Sequence, residues 1–259
     1  MCTVIILNEV HARWPLIVAA NRDEFFLRPS TGPQVLSEQP RSVGGKDELA
    51  GGTWMGVSPS GFFAALTNQR ARGNRNGQLK SRGAVVMDIM QRGTVPSARC
   101  WITNVDAAEY NPFNIVYGTP RNVWVSHSGE KLKPEQLEKG VQVLPNARLN
   151  ATSFPKVERA RSLCASLPDD DDGLFEHLMA VLSDQECPDE FPEFTDSGLD
   201  PALQARLHAL QVKTPEYGTC SSSIFAVSAQ GGCRYLFADG PPDVTAFEDY
   251  SHLLRSRRP

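Results

Sequence analysis

The chain has 259 residues, of which 41% are hydrophobic and 22% are charged, and 26 Lys and Arg stand against 30 Asp and Glu for a net charge of −4. This composition is typical of globular proteins, and the charge is too close to neutral for a chain that binds nucleic acid through its overall field. No apolar run exceeds five or six residues, whereas a membrane span needs about 20. We therefore expect one globular domain over residues 1–259 with no nucleic-acid partner and no membrane span, and the lack of a leader-like N-terminus favours the cytoplasm.

Hairpins and then helices are predicted in the first half of the chain. Short apolar runs rich in β-branched residues, separated by polar stretches, indicate two hairpins whose strands lie at 3–8, 15–20, 53–58 and 61–67. The turn of the second hairpin is Pro59-Ser60-Gly61. Apolar residues at helical spacing then predict a helix capped by Ser81, and a less regular helix follows near 97–109.

The second half repeats this order of hairpins and helices. The predicted strands lie at 112–118, 122–127, 140–144, 221–228 and 233–238. The predicted helices lie at 153–167, 172–184 and 200–211. The acidic run 169–172 stands at a helix N-terminus, where carboxylates are favoured, and so does not indicate a metal site. Because strands and helices do not alternate one by one, the order predicts an α+β fold of packed antiparallel sheets covered by helices.

The cysteines and histidines form no pattern typical of a metal site or a disulfide framework. The six cysteines contain no CxxC pair, and the five histidines show no HExxH spacing. The sequence also lacks a phosphate-binding loop, a dinucleotide fingerprint and a GxSxG motif. We expect no metal and no resident cofactor, and most of the cysteines are interpreted as small core residues.

Cys2 is the candidate nucleophile. Initiator methionine is ordinarily removed before a side chain this small, which would leave Cys2 with a free α-amino group. Such an amine has a pKa of about 7.7–8.0, so a useful fraction is neutral at pH 7 and can accept the proton of the adjacent thiol. A nucleophile of this kind needs no histidine.

The first hairpin predicts the neighbours of Cys2. With its loop centred near residues 11–12, Cys2 lies opposite residues 20–22, within a margin of two residues. The polar tetrapeptide Asn21-Arg22-Asp23-Glu24 stands there, at the mouth of the strand. Arg22 beside the thiol would favour the thiolate, and Asp23 could hold the α-amine by a charge-assisted hydrogen bond. In the alternative interpretation Cys2 is incidental and the tetrapeptide is a solvated strand end.

Further motifs follow in order over nearly the whole chain. They are Met1-Cys2, Ala19–Phe25, Arg28-Pro29, Gly51–Gly56, Ala64–Asn68, Phe113–Ile115, Pro145–Ala147 with Leu149, and Tyr217–Thr219. In this order they resemble the NRDE (transport and Golgi organisation) family, which is named for the tetrapeptide. The family is similar to N-terminal-nucleophile hydrolases such as penicillin V acylase and bile-salt hydrolase. The resemblance implies a four-layer αββα sandwich.

The resemblance also implies roles for individual residues. Cys2 would attack an amide or thioester carbonyl, while Arg22 and Asp23 would orient the thiol and its amine. Asn68 would point its amide at the developing oxyanion, with Asn146 as the second candidate donor, and an aimed donor of this type contributes about 3–4 kcal/mol to lowering the barrier. For both asparagines the alternative is an ordinary strand-end residue.

One position departs from the family pattern. After Tyr217–Thr219 the family usually continues with Arg, whereas this chain has Cys220. A basic loop could replace that Arg and bind a carboxylate or a phosphate-bearing ligand, or could simply be solvated; its cations are Arg70, Arg72, Arg75, Lys80 and Arg82. The candidate substrate-binding residues are Asn21, Glu24, Arg70 and Arg72.

Two functions stay open from the sequence. The first is an N-terminal-cysteine hydrolase that cleaves a non-peptide amide or a thioester through an acyl-Cys2 intermediate. The second, which the resemblance also implies, is a non-catalytic protein that binds and traffics haem or acyl-CoA and lipid. A shared fold does not decide between them.

Overall fold

Two antiparallel sheets form the centre of the computed structural model, which describes residues 2–69, 76–129, 131–191 and 201–255. From edge to edge, the first sheet contains β10 (Gly140–Leu144), β1 (Cys2–Asn8), β2 (Leu16–Phe25), β11 (Tyr217–Val227), β12 (Cys233–Ala238) and β13 (Glu248–Asp249). The second sheet contains β3 (Ser30–Glu38), β4 (Arg41–Asp47), β5 (Met55–Val57), β6 (Phe63–Asn68), β7 (Phe113–Thr119), β8 (Asn122–His127) and β9 (Glu135–Gln136).

Helices cover the outer face of each sheet. The helices are α1 (Arg82–Arg92), α2 (Val95–Ile102), α3 (Pro155–Leu163), α4 (Asp171–Leu182) and α5 (Pro201–Arg206). Helices α1 and α2 pack on the second sheet, and α3 and α4 pack on the first. The order of layers confirms the predicted αββα sandwich. In the part of the chain that the structure describes, no helix is long and apolar enough to cross a membrane.

Strand alternation decides which layer each side chain of the first sheet enters. Val4 and Val18 belong to the core between the two sheets, whereas Ile5 and Ala19 belong to the core under α3 and α4. Successive residues of a strand point to opposite faces, so the same alternation continues to the strand ends. Neighbouring polar residues there must therefore face different layers.

Several predicted boundaries are wrong. Strand β2 does not end at residue 20 but runs through the polar tetrapeptide to Phe25, where pairing with β11 satisfies its backbone. Strands β3 and β4 were not predicted, because glycine and polar residues interrupt their apolar pattern. The helix expected near 97–109 is α2 followed by a separate 3-10 turn at Ala107–Glu109.

The N-termini of α1 and α4 differ in how they are capped. Ser81 occupies the N-cap of α1, but its side chain makes no capping hydrogen bond. Asp170 does cap α4, because its Oδ1 accepts a hydrogen bond from the Gly173 N–H at 2.8 Å. This agrees with the structural interpretation of the acidic run at 169–172.

Candidate active site

The ends of three strands bring the predicted nucleophile to its polar neighbours. Cys2 on β1 pairs with Arg22 on β2, within the predicted margin, and Arg22 pairs on its other side with Ser221 on β11. These three residues therefore form a row across the first sheet that faces the second sheet. We call this row the cleft-facing row.

A small open cleft, with a cavity volume of about 60 Å³, lies between this row and the second sheet. Its lining residues are Cys2, Arg22, Asp23, Glu24, Arg28, Asp47, Thr53, Trp54, Leu66, Asn68, Ser81, Arg82 and Gly83. The structure thus brings five predicted site residues to one place, namely Cys2, Arg22, Asp23, Glu24 and Asn68. Cys2 is 9% exposed, so its side chain is shielded but reaches the cleft wall.

The environment of the Cys2 thiol disfavours the thiolate. Burial raises the pKa of the thiol above its ordinary value and the charge of Asp23 adds to this, while the charge of Arg22 opposes it. Arg22 thus favours the thiolate, as expected, but the desolvation of the thiol is the larger effect and the pKa is raised. A thiol of this kind needs a base that removes its proton as it reacts.

Arg22 presents a hydrogen-bond donor to the cleft. The residue is 5% exposed, and its guanidinium carbon lies 4.6 Å from the centroid of the Trp54 ring. Gly45 allows the indole to lie against β4, since a Cβ at that position would be 2.4 Å from the ring. Arg22 Nη1 is buried without a hydrogen-bond partner among the described residues. A buried donor in this state favours a ligand that carries an acceptor oxygen.

Asp23 is held from behind by β11. Its Oδ1 accepts a hydrogen bond from Thr219 Oγ1 at 2.7 Å, and its main-chain oxygen accepts one from the Tyr217 hydroxyl at 2.9 Å. Burial raises the pKa of Asp23, and the charge of Lys156 and the Thr219 hydrogen bond oppose this. Thr219 and Tyr217 belong to one of the sequence motifs that carry the family resemblance, but nothing in the sequence signalled Lys156.

Asn21 is not among the residues that line the cleft, and its side-chain amide is already hydrogen-bonded within the protein. Its Nδ2 donates to the carbonyls of Leu182 and Leu210 at 2.9 and 3.0 Å, and its Oδ1 accepts from Ser222 Oγ at 2.6 Å. These partners use its amide to fasten β2 to the helical layer. Glu24, in contrast, does line the cleft.

Asn68 and Asn146 lie one behind the other. Asn68 ends β6 at the cleft, whereas Asn146 is 1% exposed and donates from Nδ2 to the Asn68 carbonyl at 2.7 Å. The loop that carries Asn146 is fixed by hydrogen bonds from Thr67 Oγ1 to the Pro145 carbonyl and from Asn114 Nδ2 to the Ala147 carbonyl, both 2.8 Å. Asn146 therefore supports Asn68, and its role as a second oxyanion donor stays a prediction.

Cys220 lies at an irregularity of β11. The pairing of β11 with β2 shifts between Thr219 and Ser221, so that Cys220 is the extra residue of a bulge. Its Sγ contacts the carbonyls of Glu24 and Gly218, each at 3.4 Å. Burial raises the pKa of this thiol as well.

The predicted basic loop is only partly described. Arg70, Arg72 and Arg75 lie outside the described residues. Lys80 pairs on the surface with Glu109 at 2.8 Å, whereas Arg82, at the start of α1, lines the cleft. In the described ranges, no group of three or more His, Cys, Asp and Glu side chains could hold a metal ion.

Comparison with known proteins identifies relatives by sequence and by structure. A family model described as Transport and Golgi organisation 2 matches residues 1–237. The Transport and Golgi organization protein 2 homolog of Bos taurus is 31% identical over an alignment of 263 positions, which covers 93% of this chain and 92% of the relative. The homolog of Homo sapiens is 30% identical over 237 residues and covers 83% of each chain.

Two solved structures share the fold. Penicillin V acylase from Agrobacterium tumefaciens superposes with a TM-score of 0.52 over 99% of this chain and 88% of that one. A mutant of conjugated bile acid hydrolase from Clostridium perfringens gives 0.52 over 99% and 95%. Both are 12% identical to this chain, so the likeness is one of fold.

Proposed function

Because the chain belongs to the Transport and Golgi organisation 2 family and has a fold found in an acylase and a bile acid hydrolase, we propose that it is an N-terminal-cysteine hydrolase of small-molecule amides or thioesters. The observation that carries the proposal is the position of Cys2 in a cleft beside Arg22, Asp23 and Asn68. Removal of Met1 is part of the proposal, since it creates the base that the buried thiol needs.

The first step forms an acyl enzyme. As Cys2 Sγ attacks the acyl carbon, its proton passes to the Cys2 α-amine and the carbonyl oxygen becomes an oxyanion facing Asn68. Collapse of this intermediate breaks the bond to the leaving nitrogen or sulfur, which takes the proton from the ammonium and departs as an amine or a thiol. Arg22 Nη1 is the second donor available to the substrate.

The second step regenerates the thiol. Water attacks the acyl-Cys2 carbonyl and gives a proton to the α-amine, which is neutral again after the first step. The bond to Sγ then breaks, the proton returns to sulfur, and a carboxylic acid is released. Asp23 accepts a hydrogen bond from the amine throughout both steps, because the strand register places it on the side of the Cys2 nitrogen.

Intact-mass spectrometry and thiol labelling test the proposal. We expect a mass without Met1 and faster acylation of Cys2 by a thioester probe than of Cys164, whose pKa is raised to about 11 by burial. Exposed Cys100 gives the rate of a thiol outside the cleft. Retention of Met1, or labelling of Cys2 no faster than of Cys100, would contradict the proposal.

A second candidate is ligand binding without turnover, as in the haem or acyl-CoA alternative. It is favoured by two features of the cleft lining, namely the unpartnered Nη1 of Arg22 and the N-terminus of α1 with Arg82 at its first position. Titration of the whole protein with a long-chain acyl-CoA and with haem distinguishes the two ligands. Saturable binding that survives Cys2→Ser, with no product formed by the parent protein, would support this candidate over the hydrolase.

A further inference from the structure

Lys156 occupies a position that is unfavourable for a lysine. It is the second residue of α3 and is 1% exposed. A buried ammonium needs compensating partners, and the first turn of a helix disfavours a cation because its N–H groups carry partial positive charge. A buried lysine ammonium at such an unfavourable position suggests that its charge acts on a neighbouring functional group.

Lys156 faces the end of the first sheet from the helical side. Its Nζ donates to Thr3 Oγ1 at 3.3 Å, and Thr3 pairs with Asn21 in the ladder between β1 and β2. Asp23 lies two residues further along β2 on the same face. Burial raises the pKa of Asp23, and the charge of Lys156 is the strongest of the effects that oppose this. The ammonium of Lys156 therefore stabilises the charged form of Asp23 from the helical side of the sheet.

This arrangement bears on the base of the proposed reaction. A carboxylate beside an amine favours the protonated amine, and a protonated amine cannot accept the proton of a thiol. Asp23 alone would thus orient the Cys2 α-amine but weaken it as a base. A second positive charge next to Asp23 offsets this effect.

We propose that Lys156 is an electrostatic positioning residue: its buried ammonium offsets the charge of Asp23, so that Asp23 orients the Cys2 α-amine while the amine stays neutral and able to accept the thiol proton. The proposal rests on the proposed function. The other titratable groups around Asp23 are Arg22 and Glu24 on β2, Cys2 on β1 and Cys220 on β11. Lys156 approaches from α3 and is not among the residues that line the cleft, so it acts without touching substrate.

The test titrates the amine directly and needs no turnover. In a Cys2→Ala background the α-amine is labelled by reductive ¹³C-methylation and titrated by NMR, with and without Lys156→Met. Loss of the positive charge makes the protonated amine more favourable, so we expect its pKa to rise by about one unit or more. Lys156→Arg keeps the charge and should leave the titration nearly unchanged. Arg161→Met, which removes a cation from the same helix, is the matched control and should also leave it unchanged.

A double variant covers the case in which Lys156→Met fails to fold. Asp23→Asn together with Lys156→Met removes both buried charges, and replacing a buried pair by neutral groups is often tolerated. We expect its amine to titrate within about half a unit of the parent, because opposite charges are removed together. An amine pKa that does not rise in Lys156→Met, or that shifts by more than one unit in the double variant, overturns the proposal.

Activity measurements separate this proposal from the proposed function. If hydrolysis is observed, the acid limb of kcat/KM against pH should move upward in Lys156→Met and the rate should recover at high pH, whereas a merely structural role would lower the rate equally at every pH. If Cys2→Ser abolishes hydrolysis and the limb does not move in Lys156→Met, the role of Lys156 is wrong and the hydrolase stands. If no substrate is hydrolysed, the amine titration alone decides on Lys156.

Discussion

Two rows of side chains end the first sheet, one on each face, and they differ in how fully they are hydrogen-bonded. In the cleft-facing row, Arg22 Nη1 and Ser221 Oγ are buried without partners among the described residues. In the row that faces the helices, Asn21 uses both ends of its amide. Arg22 and Asn21 are neighbours in one motif but differ in role, because Arg22 retains a donor for a ligand whereas Asn21 fastens the strand to the helical layer.

The largest effect expected from the cleft-facing row is that of Cys2→Ser. A serine hydroxyl holds its proton more tightly than a thiol, so an amine is a much poorer base for activating it as a nucleophile. We therefore expect kcat/KM to fall at least about 10³-fold. The side chain lies at the end of β1 and the substitution is nearly isosteric, so the free energy of unfolding should change by less than about 1 kcal/mol. Steady-state kinetics and urea unfolding measure the two quantities. Turnover that persists at the parental rate would remove Cys2 from the reaction.

Arg22→Met tests whether the guanidinium of the cleft-facing row contributes a hydrogen-bond donor to the reaction. We expect a loss of about 10²-fold in kcat/KM, the size seen when one aimed donor is removed. Stability should fall little or rise, because a methionine fills part of the space over Trp54 and leaves no unpartnered Nη1. Arg22→Lys keeps the positive charge but lacks the planar guanidinium with its several N–H donors, so it should recover part of the rate. A large drop in Tm with normal activity in the folded fraction would mean that Arg22 belongs with the structural row.

Asn21→Ala tests the opposite row and should give the opposite result. Truncation leaves the Leu182 and Leu210 carbonyls and the Ser222 hydroxyl without their partner, so we expect a loss of about 2 kcal/mol in the free energy of unfolding. The activity per folded molecule should stay within a few fold of the parent. Urea unfolding, with kinetics well below the transition, measures both. A variant of normal stability with impaired kcat/KM would support Asn21 as a substrate-binding residue.

The sequence predicted that Cys2 lies opposite residues 20–22, because two continuous apolar runs flank a polar loop centred near residues 11–12, and the observed partner, Arg22, is within that range. The sequence did not indicate the layer that Asn21 faces, because the apolar pattern stops at Ala20 while the strand continues to Phe25 under the control of its partner β11. The residues of the tetrapeptide were therefore treated as one cluster, although alternation sends them to two layers.

The role inferred for Lys156 could not be predicted from the sequence. Its contact with Thr3 spans 153 positions and depends on how α3 packs on the first sheet, which no local pattern encodes. The departure from the family pattern at Cys220 pointed instead to the cations of the loop at 70–82, of which the structure describes Lys80 and Arg82.

The second sheet also contains a fully hydrogen-bonded polar network, in which His127 supports the loop that carries Asn146. Asn114 Nδ2 donates to the Ala147 carbonyl, so its Oδ1 is an acceptor and takes a hydrogen bond from His127 Nδ1 at 2.7 Å. His127 Nε2 then accepts from the Leu149 N–H at 3.5 Å. This network requires a neutral imidazole. Burial, followed by the charge of Arg148, lowers the pKa of His127 to about 4.

The last expected effect is a pH dependence of stability that comes from this network. Between the ordinary pKa of 6.5 and about 4, the unfolded chain binds a proton at His127 and the folded chain does not, so the free energy of unfolding should fall as the pH falls through this window. His127→Gln keeps a side-chain donor for Asn114 but does not titrate, so its stability should depend less on pH over the same range. Urea unfolding of both proteins at pH 7, 6, 5 and 4.5 measures the difference. Parallel pH profiles would show that folding does not lower the pKa of His127, and a difference confined to this window would support the neutral imidazole in this network.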